Sequence, residues 1–248
     1  MLRQPGAFLR IAGPWMAAFV ALLAVGAVVV TLVPTPATEA ALGITSILLV
    51  AAGYNGFAVA WHRRRLLGEA RPFGENLRFG RAELRYSAYG TLCFLVPALP
   101  AAALGLLLMA ALPPVFAAAA LAGAVVAIVF YGAASRLMLA LPSIAVDEGA
   151  PYMARAWQRT RGNTLRLFFG MLACALPLLL VAAAIDALAR RGPEAAPFAI
   201  VVEAALLFIN FLALAVCVGF LSSAYEQLGG TVRARRGAPP PRPPELPE

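Results

Sequence analysis

One acidic residue lies inside an apolar stretch, where a carboxylate could bind a proton or a polar substrate. Glu203 stands about six residues into the last long apolar run, and Asn210 and Cys217 follow it at intervals of seven. Seven residues are two helical turns, so the three side chains share one helix face. A carboxylate at that depth costs a few kcal/mol unless it is paired, protonated or hydrated. One interpretation is a transporter site around Glu203 and Asn210, and the other is an ion pair with Arg190 or Arg191 or a water-filled depression at the outer surface.

Arginines gather beside the apolar runs, where guanidinium groups are able to bind phosphate oxygens. One group follows Trp61 and His62 directly, and two others recur at helical spacing in the longer connections. We expect these residues to contact anionic lipid headgroups or a partner, and the alternative for the first group is ordinary anchoring of a helix end. The candidates are Arg63, Arg64, Arg65, Arg78, Arg81, Arg85, Arg136, Arg155, Arg159 and Arg166.

The remaining composition argues against most catalytic chemistry. The chain has no lysine, which excludes Schiff-base and P-loop lysines, and its one histidine leaves no second ring for a relay. The three cysteines lie far apart inside apolar runs, as small core residues do. No metalloprotease, hydrolase or phosphate-loop motif occurs. We therefore expect no catalytic residue, no metal and no cofactor, and an enzyme acting on lipid headgroups is the least favoured hypothesis.

Six long apolar runs must position these residues. Of the 248 residues, 62% are apolar and 13% are charged, against about half and a quarter in a soluble domain. About 20 apolar residues in a helix cross the hydrocarbon core of a bilayer. The predicted spans are Pro14–Val33, Ala41–Trp61, Ala88–Leu112, Val115–Ser135 with apolar residues continuing to Val146, Leu165–Ala189 and Pro197–Ser223.

Charge is distributed unevenly between the connections. Eighteen of the 20 arginines fall in the N-terminal segment, in the connections after the second and fourth runs, and in the C-terminal tail. Only Arg190 and Arg191 fall on the other side. The positive-inside rule then predicts that both ends and both long connections are cytoplasmic. An even number of spans agrees with this prediction, because it places both ends of the chain on the same side of the membrane.

Both long connections carry arginine on one face of a predicted helix. These helices cover Asn76–Tyr89 and Pro151–Arg166, and Trp157 lies opposite the arginines of the second. Such helices tend to lie in the headgroup plane, and the alternative is two soluble caps over the bundle. The fold class is thus an all-α polytopic membrane bundle of six transmembrane helices with two cytoplasmic amphipathic interfacial helices.

The chain divides into residues 1–228, a single transmembrane bundle, and residues 229–248, a disordered Arg/Pro-rich cytoplasmic tail. Small residues in the fourth run, such as Ala119 and Gly123, allow close helix approach, which leaves a homo- or hetero-oligomer open. We expect no nucleic-acid partner.

Three stretches resemble a known group of proteins: Trp61–Glu69, Arg136–Asp147 and Ala156–Asn163. They are similar to uncharacterised six-span α-proteobacterial inner-membrane proteins, related to the membrane domain of bacterial glycerophosphodiester phosphodiesterases. The resemblance covers about residues 10–225 and implies an inner-membrane bundle. It implies no enzymatic role, because the soluble catalytic barrel of those enzymes is not in this sequence. The favoured hypothesis is a non-enzymatic inner-membrane scaffold that contacts lipid or a partner.

Overall fold

Helices make up most of the chain that the structure describes, which is residues 5–112, 115–191 and 196–230 of a computed structural model. The helix content is 86%, and no strand occurs among these residues. A 3-10 helix, Phe73–Leu77, joins the second and third α-helices. The α-helices of the described part are α1 (Pro5–Leu32), α2 (Pro36–Leu67), α3 (Arg81–Ala111), α4 (Phe116–Leu137), α5 (Ala140–Ala145), α6 (Tyr152–Arg159), α7 (Thr164–Ala189) and α8 (Ala196–Gln227).

Six stretches of this chain are long and apolar enough to cross a membrane, and this prediction from the sequence is confirmed. They are α1, α2, α3, α4 continued through α5, α7 and α8, and they contain 26 to 32 residues each. At a rise of about 1.5 Å per residue the longest measures about 48 Å, against about 30 Å for the hydrocarbon core. Several of these helices extend past the predicted spans: α1 begins at Pro5, α2 ends at Leu67 and α3 begins at Arg81.

The six long helices pack in a closed ring that follows chain order. Each of α1, α2, α3, α4, α7 and α8 contacts the next, and α8 packs back against α1. A further contact between α2 and α8 crosses the ring. We call the end where α2, α4 and α8 finish and α1, α3 and α7 begin the basic end. The buried residues of α1 and α2 concentrate toward this end, from Ala7 to Trp15 and from Gly53 to Leu66.

The short helix α5 closes the ring at the basic end. All six of its residues, from Ala140 to Ala145, are buried, and it contacts α2, α3, α6 and α8. Proline at position 142 of the apolar stretch Leu137–Val146 predicts a helix end at that point. Pro142 instead occupies the first turn of α5, where its missing N–H needs no partner.

The two predicted interfacial helices differ from what the structure contains. Residues 76–89 form no separate helix, because the chain is extended at Gly80 and the helix that begins at Arg81 continues without a break as α3. Arg78 therefore lies outside any helix. The second is shorter than predicted: α6 ends at Arg159, and Gly162 adopts a positive φ of 76° in the turn that follows. Arg166 consequently belongs to α7.

Candidate functional site at the basic end of the bundle

A buried carboxylate lies at the centre of the basic end. The Glu148 side chain is only 5% exposed, and both of its oxygens accept hydrogen bonds from Arg159, at 2.8 and 3.2 Å. Arg155 approaches the same carboxylate to 3.8 Å. The hydroxyl of Tyr225 is hydrogen-bonded to Glu148, and Arg159 lies 5.6 Å from its ring centre. The hydrogen bond to Glu148 raises the pKa of the Arg159 guanidinium.

Local backbone geometry brings Glu148 beneath α6. Asp147 and Gly149 have positive φ angles of 57° and 96°, and this turn reverses the chain between α5 and α6. Asp147 itself points outward and pairs with Arg85 of α3 at 3.1 Å. The turn therefore contacts α3 through Asp147, and it contacts α6 and Tyr225 of α8 through Glu148.

The one histidine of the chain is fully buried and joins three helices. Nδ1 of His62 lies 2.8 Å from Oγ of Ser222 in α8, and Nε2 lies 3.2 Å from the hydroxyl of Tyr86 in α3. Ser222 donates its own proton to the Val218 carbonyl at 2.9 Å, so its oxygen accepts from Nδ1–H. Nε2 is then the acceptor for Tyr86 O–H. This order of donors satisfies every member with a neutral imidazole.

The Ser–His pair has the residue types of a nucleophile and a base, but its geometry is structural. Both residues have 0% exposure, and the hydroxyl proton of Ser222 is committed to a carbonyl rather than to the imidazole. A catalytic serine gives its proton to the histidine and must reach the substrate. In this conformation the pair holds α2 against α8.

A second polar group fixes the entry to α3. The buried carboxylate of Glu83 accepts from the Gly80 N–H at 3.0 Å and from Arg71 at 3.3 Å. Beside it, the amide of Asn76 donates to the Arg10 carbonyl at 3.1 Å and so ties the loop to α1. The connection after α2 is thus packed onto the bundle rather than free above it.

Arg136 is held in one position at the end of α4. Its Nε donates to Oγ1 of Thr160 at 3.0 Å and a terminal nitrogen donates to the Trp157 carbonyl at 2.6 Å. The guanidinium also stacks on the Trp157 ring, 3.6 Å from its centre. No carboxylate of the described residues pairs with it.

The arginines singled out from the sequence separate into two sets. Six contact acids or neighbouring helices within the fold: Arg63 donates to the Ala145 carbonyl and lies 3.8 Å from Glu69, Arg65 donates to Ser223, and Arg85, Arg136, Arg155 and Arg159 make the contacts given above. Arg64 also has an interaction partner. In the second set, Arg78, Arg81 and Arg166 are exposed and form no ion pair with any described residue. Arg10 and Arg161, which the sequence analysis did not select, have the same character.

Charge does not balance at the basic end. Its described residues include thirteen arginines and six acids, which leaves seven positive charges in excess. Four of the six acids pair with arginines of this end, whereas Arg10, Arg78, Arg81, Arg161 and Arg166 are exposed and form no ion pair with any described residue. Anions from outside the chain are the natural counter-ions of such a surface.

Glu203 and Asn210 are not brought together into a site. Glu203 is exposed and forms no ion pair with any residue in the described ranges, while Arg190 pairs with Asp186 at 2.8 Å. Asn210 donates to the Leu206 carbonyl of its own helix at 2.9 Å. The packed face of α8 instead contains Leu207, Phe211 and Ala215.

Most members of the buried polar groups were not predicted from the sequence. Tyr86, Glu148, Ser222 and Tyr225 belong to no motif and share no spacing rule in the sequence. One indication was present in the sequence: a single histidine and adjacent serines interrupt runs that are otherwise apolar. Among the described residues, no group of three or more His, Cys, Asp or Glu side chains is arranged to hold a metal ion.

Comparison with known proteins leaves the site to be interpreted from its own geometry. No protein-family model matches the chain, and no curated protein or solved structure matches it significantly. The resemblance to the membrane domain of glycerophosphodiester phosphodiesterases stays a prediction.

Proposed function

We propose that this protein is a non-enzymatic integral protein of a bacterial inner membrane that binds anionic phospholipid headgroups at its basic end. The observation that carries the proposal is the excess of seven positive charges there, located on exposed arginines such as Arg10, Arg78 and Arg81. Each arginine near an anionic membrane surface contributes on the order of 1 kcal/mol of attraction. The buried acids pair with arginines within the fold, and the exposed arginines are available to bind lipid headgroups.

The proposed orientation has the basic end in the cytoplasm. Reporter fusions after Arg71 and Arg161 should be inactive with alkaline phosphatase and active with a cytoplasmic reporter. Fusions after Val33, Leu112 and Arg191 should show the opposite, because these positions follow the other ends of the long helices. A periplasmic signal after Arg161 would contradict the six-span orientation.

The lipid preference is measured with the whole protein in lipid nanodiscs. Spin-labelled phosphatidylglycerol should associate with it more strongly than spin-labelled phosphatidylcholine, and the preference should fall as salt rises. Changing Arg10, Arg78 and Arg81 together to Gln should reduce the preference severalfold, since three exposed guanidinium groups are removed.

Arg191→Gln is the matched control, because Arg191 is an exposed arginine at the opposite end. It should leave the preference unchanged at the lipid leaflet next to the basic end. Equal association of phosphatidylglycerol and phosphatidylcholine with the protein at low salt would contradict the proposed function.

The alternative of a small transporter with a polar site around Glu203 and Asn210 has less support. These side chains share a helix face, but the first is exposed and the second bonds to its own helix. No observation in the described part of the chain favours it over headgroup binding.

A further inference from the structure

An open groove of about 530 Å³ runs along the outside of the bundle between α3, α4 and α6. Its wall is apolar, formed on α3 by Val96, Pro97 and Pro100 and on α4 by Ala133 and Leu137. Gln158 and Arg161 lie at its basic end. A volume of about 300–1,000 Å³ is usual for sites that bind one small molecule.

The mouth of the groove carries positive charge with no acid to neutralise it. Arg161 lines the groove, is exposed and forms no ion pair with any described residue. Arg136 is fixed behind Trp157 by its bonds to Thr160 and to the Trp157 carbonyl. An exposed guanidinium group that has no carboxylate partner is able to bind an anion such as a phosphate.

The Trp157 ring lies between this charge and the apolar wall. Its side chain is 40% exposed and lines the groove, while Arg136 stacks on its face. Tryptophan is common at the level of lipid headgroups, where one part of the ring is apolar and its N–H is polar. The groove therefore combines an exposed guanidinium group, an aromatic ring and an apolar wall, which are suited to the phosphate, the glycerol region and the acyl chains of a phospholipid.

We propose that this groove binds one anionic phospholipid, with its phosphate at Arg161 and an acyl chain along Val96, Pro97 and Pro100. This inference rests on the proposed function and goes further, because it assigns one lipid to one groove rather than a diffuse preference to the whole basic end. A free phosphate ion shares the headgroup chemistry but makes no use of the apolar wall.

The test is titration of the full-length protein in detergent with phosphatidylglycerol, with bound lipids counted by native mass spectrometry. One lipid should bind about tenfold more tightly than those that follow. Arg161→Gln should weaken that first binding about fivefold, the factor equivalent to about 1 kcal/mol, and Arg161→Lys should restore most of it. Val96→Trp should weaken it as well by filling the groove without a change of charge.

Two matched variants test the position of the site. Arg78→Gln removes an exposed, unpaired arginine of the same end, and Leu99→Trp adds the same ring at a position of α3 that is 77% exposed and outside the groove lining. Both should leave the first binding unchanged. Should Val96→Trp fail to fold, the Arg161→Gln and Arg78→Gln pair decides the question alone.

The assignment is overturned if Arg161→Gln and Arg78→Gln weaken the first binding equally, or if neither Arg161→Gln nor Val96→Trp weakens it. It is also overturned if millimolar inorganic phosphate competes for the site as effectively as the lipid does. If phosphatidylglycerol is still preferred over phosphatidylcholine in nanodiscs, only the groove assignment fails. If that preference is also lacking, the proposed function fails with it.

Discussion

Replacing Glu148 with Gln is expected to lower the free energy of unfolding by about 3 kcal/mol. The change keeps the shape of the side chain but leaves Arg159 and Arg155 with no carboxylate to neutralise them in a poorly hydrated position. Removing one partner of a buried ion pair costs about 3–5 kcal/mol, and the low end applies because these arginine side chains are 20% and 29% exposed. The measurement is reversible unfolding of the detergent-solubilised protein by titration with a denaturing detergent, followed by circular dichroism.

Glu226→Gln is the matched control, because Glu226 is exposed at the same end and makes no ion pair with a described residue. It should change stability by less than about 0.5 kcal/mol, as surface substitutions generally do. Adding Arg159→Gln to Glu148→Gln should recover part of the loss, since it removes the unpaired guanidinium. Equal stabilities of the two single variants would mean that the Glu148 group contributes nothing to the fold.

The six long helices were predictable from the sequence because the property that defines them is local. A run of about 20 apolar residues is visible without knowledge of its neighbours, and the bilayer sets its length. What the run contacts is not local. The stretch from Ala140 to Ala145 reads as apolar whether it faces lipid or a protein core, and only its packing against α2, α3 and α8 distinguishes the two.

The arginines show how charge spacing can mislead. Arg155 and Arg159 lie one helical turn apart, which predicts a face turned to phosphates, yet both turn toward Glu148. Their partner is close in sequence, but it reaches them only through the reversal at Asp147 and Gly149. Periodicity gives the direction of side chains relative to one another and does not say which side of the helix is buried.

The break before α3 had a recognisable cause in the sequence. Gly80 and Glu83 stand three residues apart, and in the structure the carboxylate accepts the Gly80 N–H as in a helix N-terminal cap. The spacing of Arg78, Arg81 and Arg85 suggested a helix that crosses this point. The helix begins at Arg81 instead, because the capping interaction satisfies the Gly80 N–H and the buried carboxylate of Glu83 together.

The partners of His62 were beyond the reach of sequence reasoning. Ser222 lies 160 positions away and Tyr86 lies 24 positions away, and no spacing rule connects them. Trp61 ends the second predicted span and His62 follows it, whereas in the structure both are buried and α2 continues to Leu67. The consequence is a hydrogen-bonded chain from α3 through α2 to α8, with donors running from Tyr86 to His62 to Ser222.

Replacing His62 with Ala is therefore expected to lower the free energy of unfolding by about 4 kcal/mol, the largest effect of any single change considered. It leaves a cavity, which costs about 2–5 kcal/mol for large side chains, and it leaves the buried hydroxyl of Tyr86 without an acceptor.

Tyr86→Phe should cost about 1–2 kcal/mol, and Tyr131→Phe, the same change at a residue that is 52% exposed, should cost less than about 0.5 kcal/mol. The decisive measurement is the double variant. Tyr86→Phe removes the hydroxyl group that His62→Ala leaves without an acceptor. The double variant should therefore be no less stable than His62→Ala alone. Strict addition of the two losses in the same detergent titration would show that the hydrogen-bonded chain does not exist.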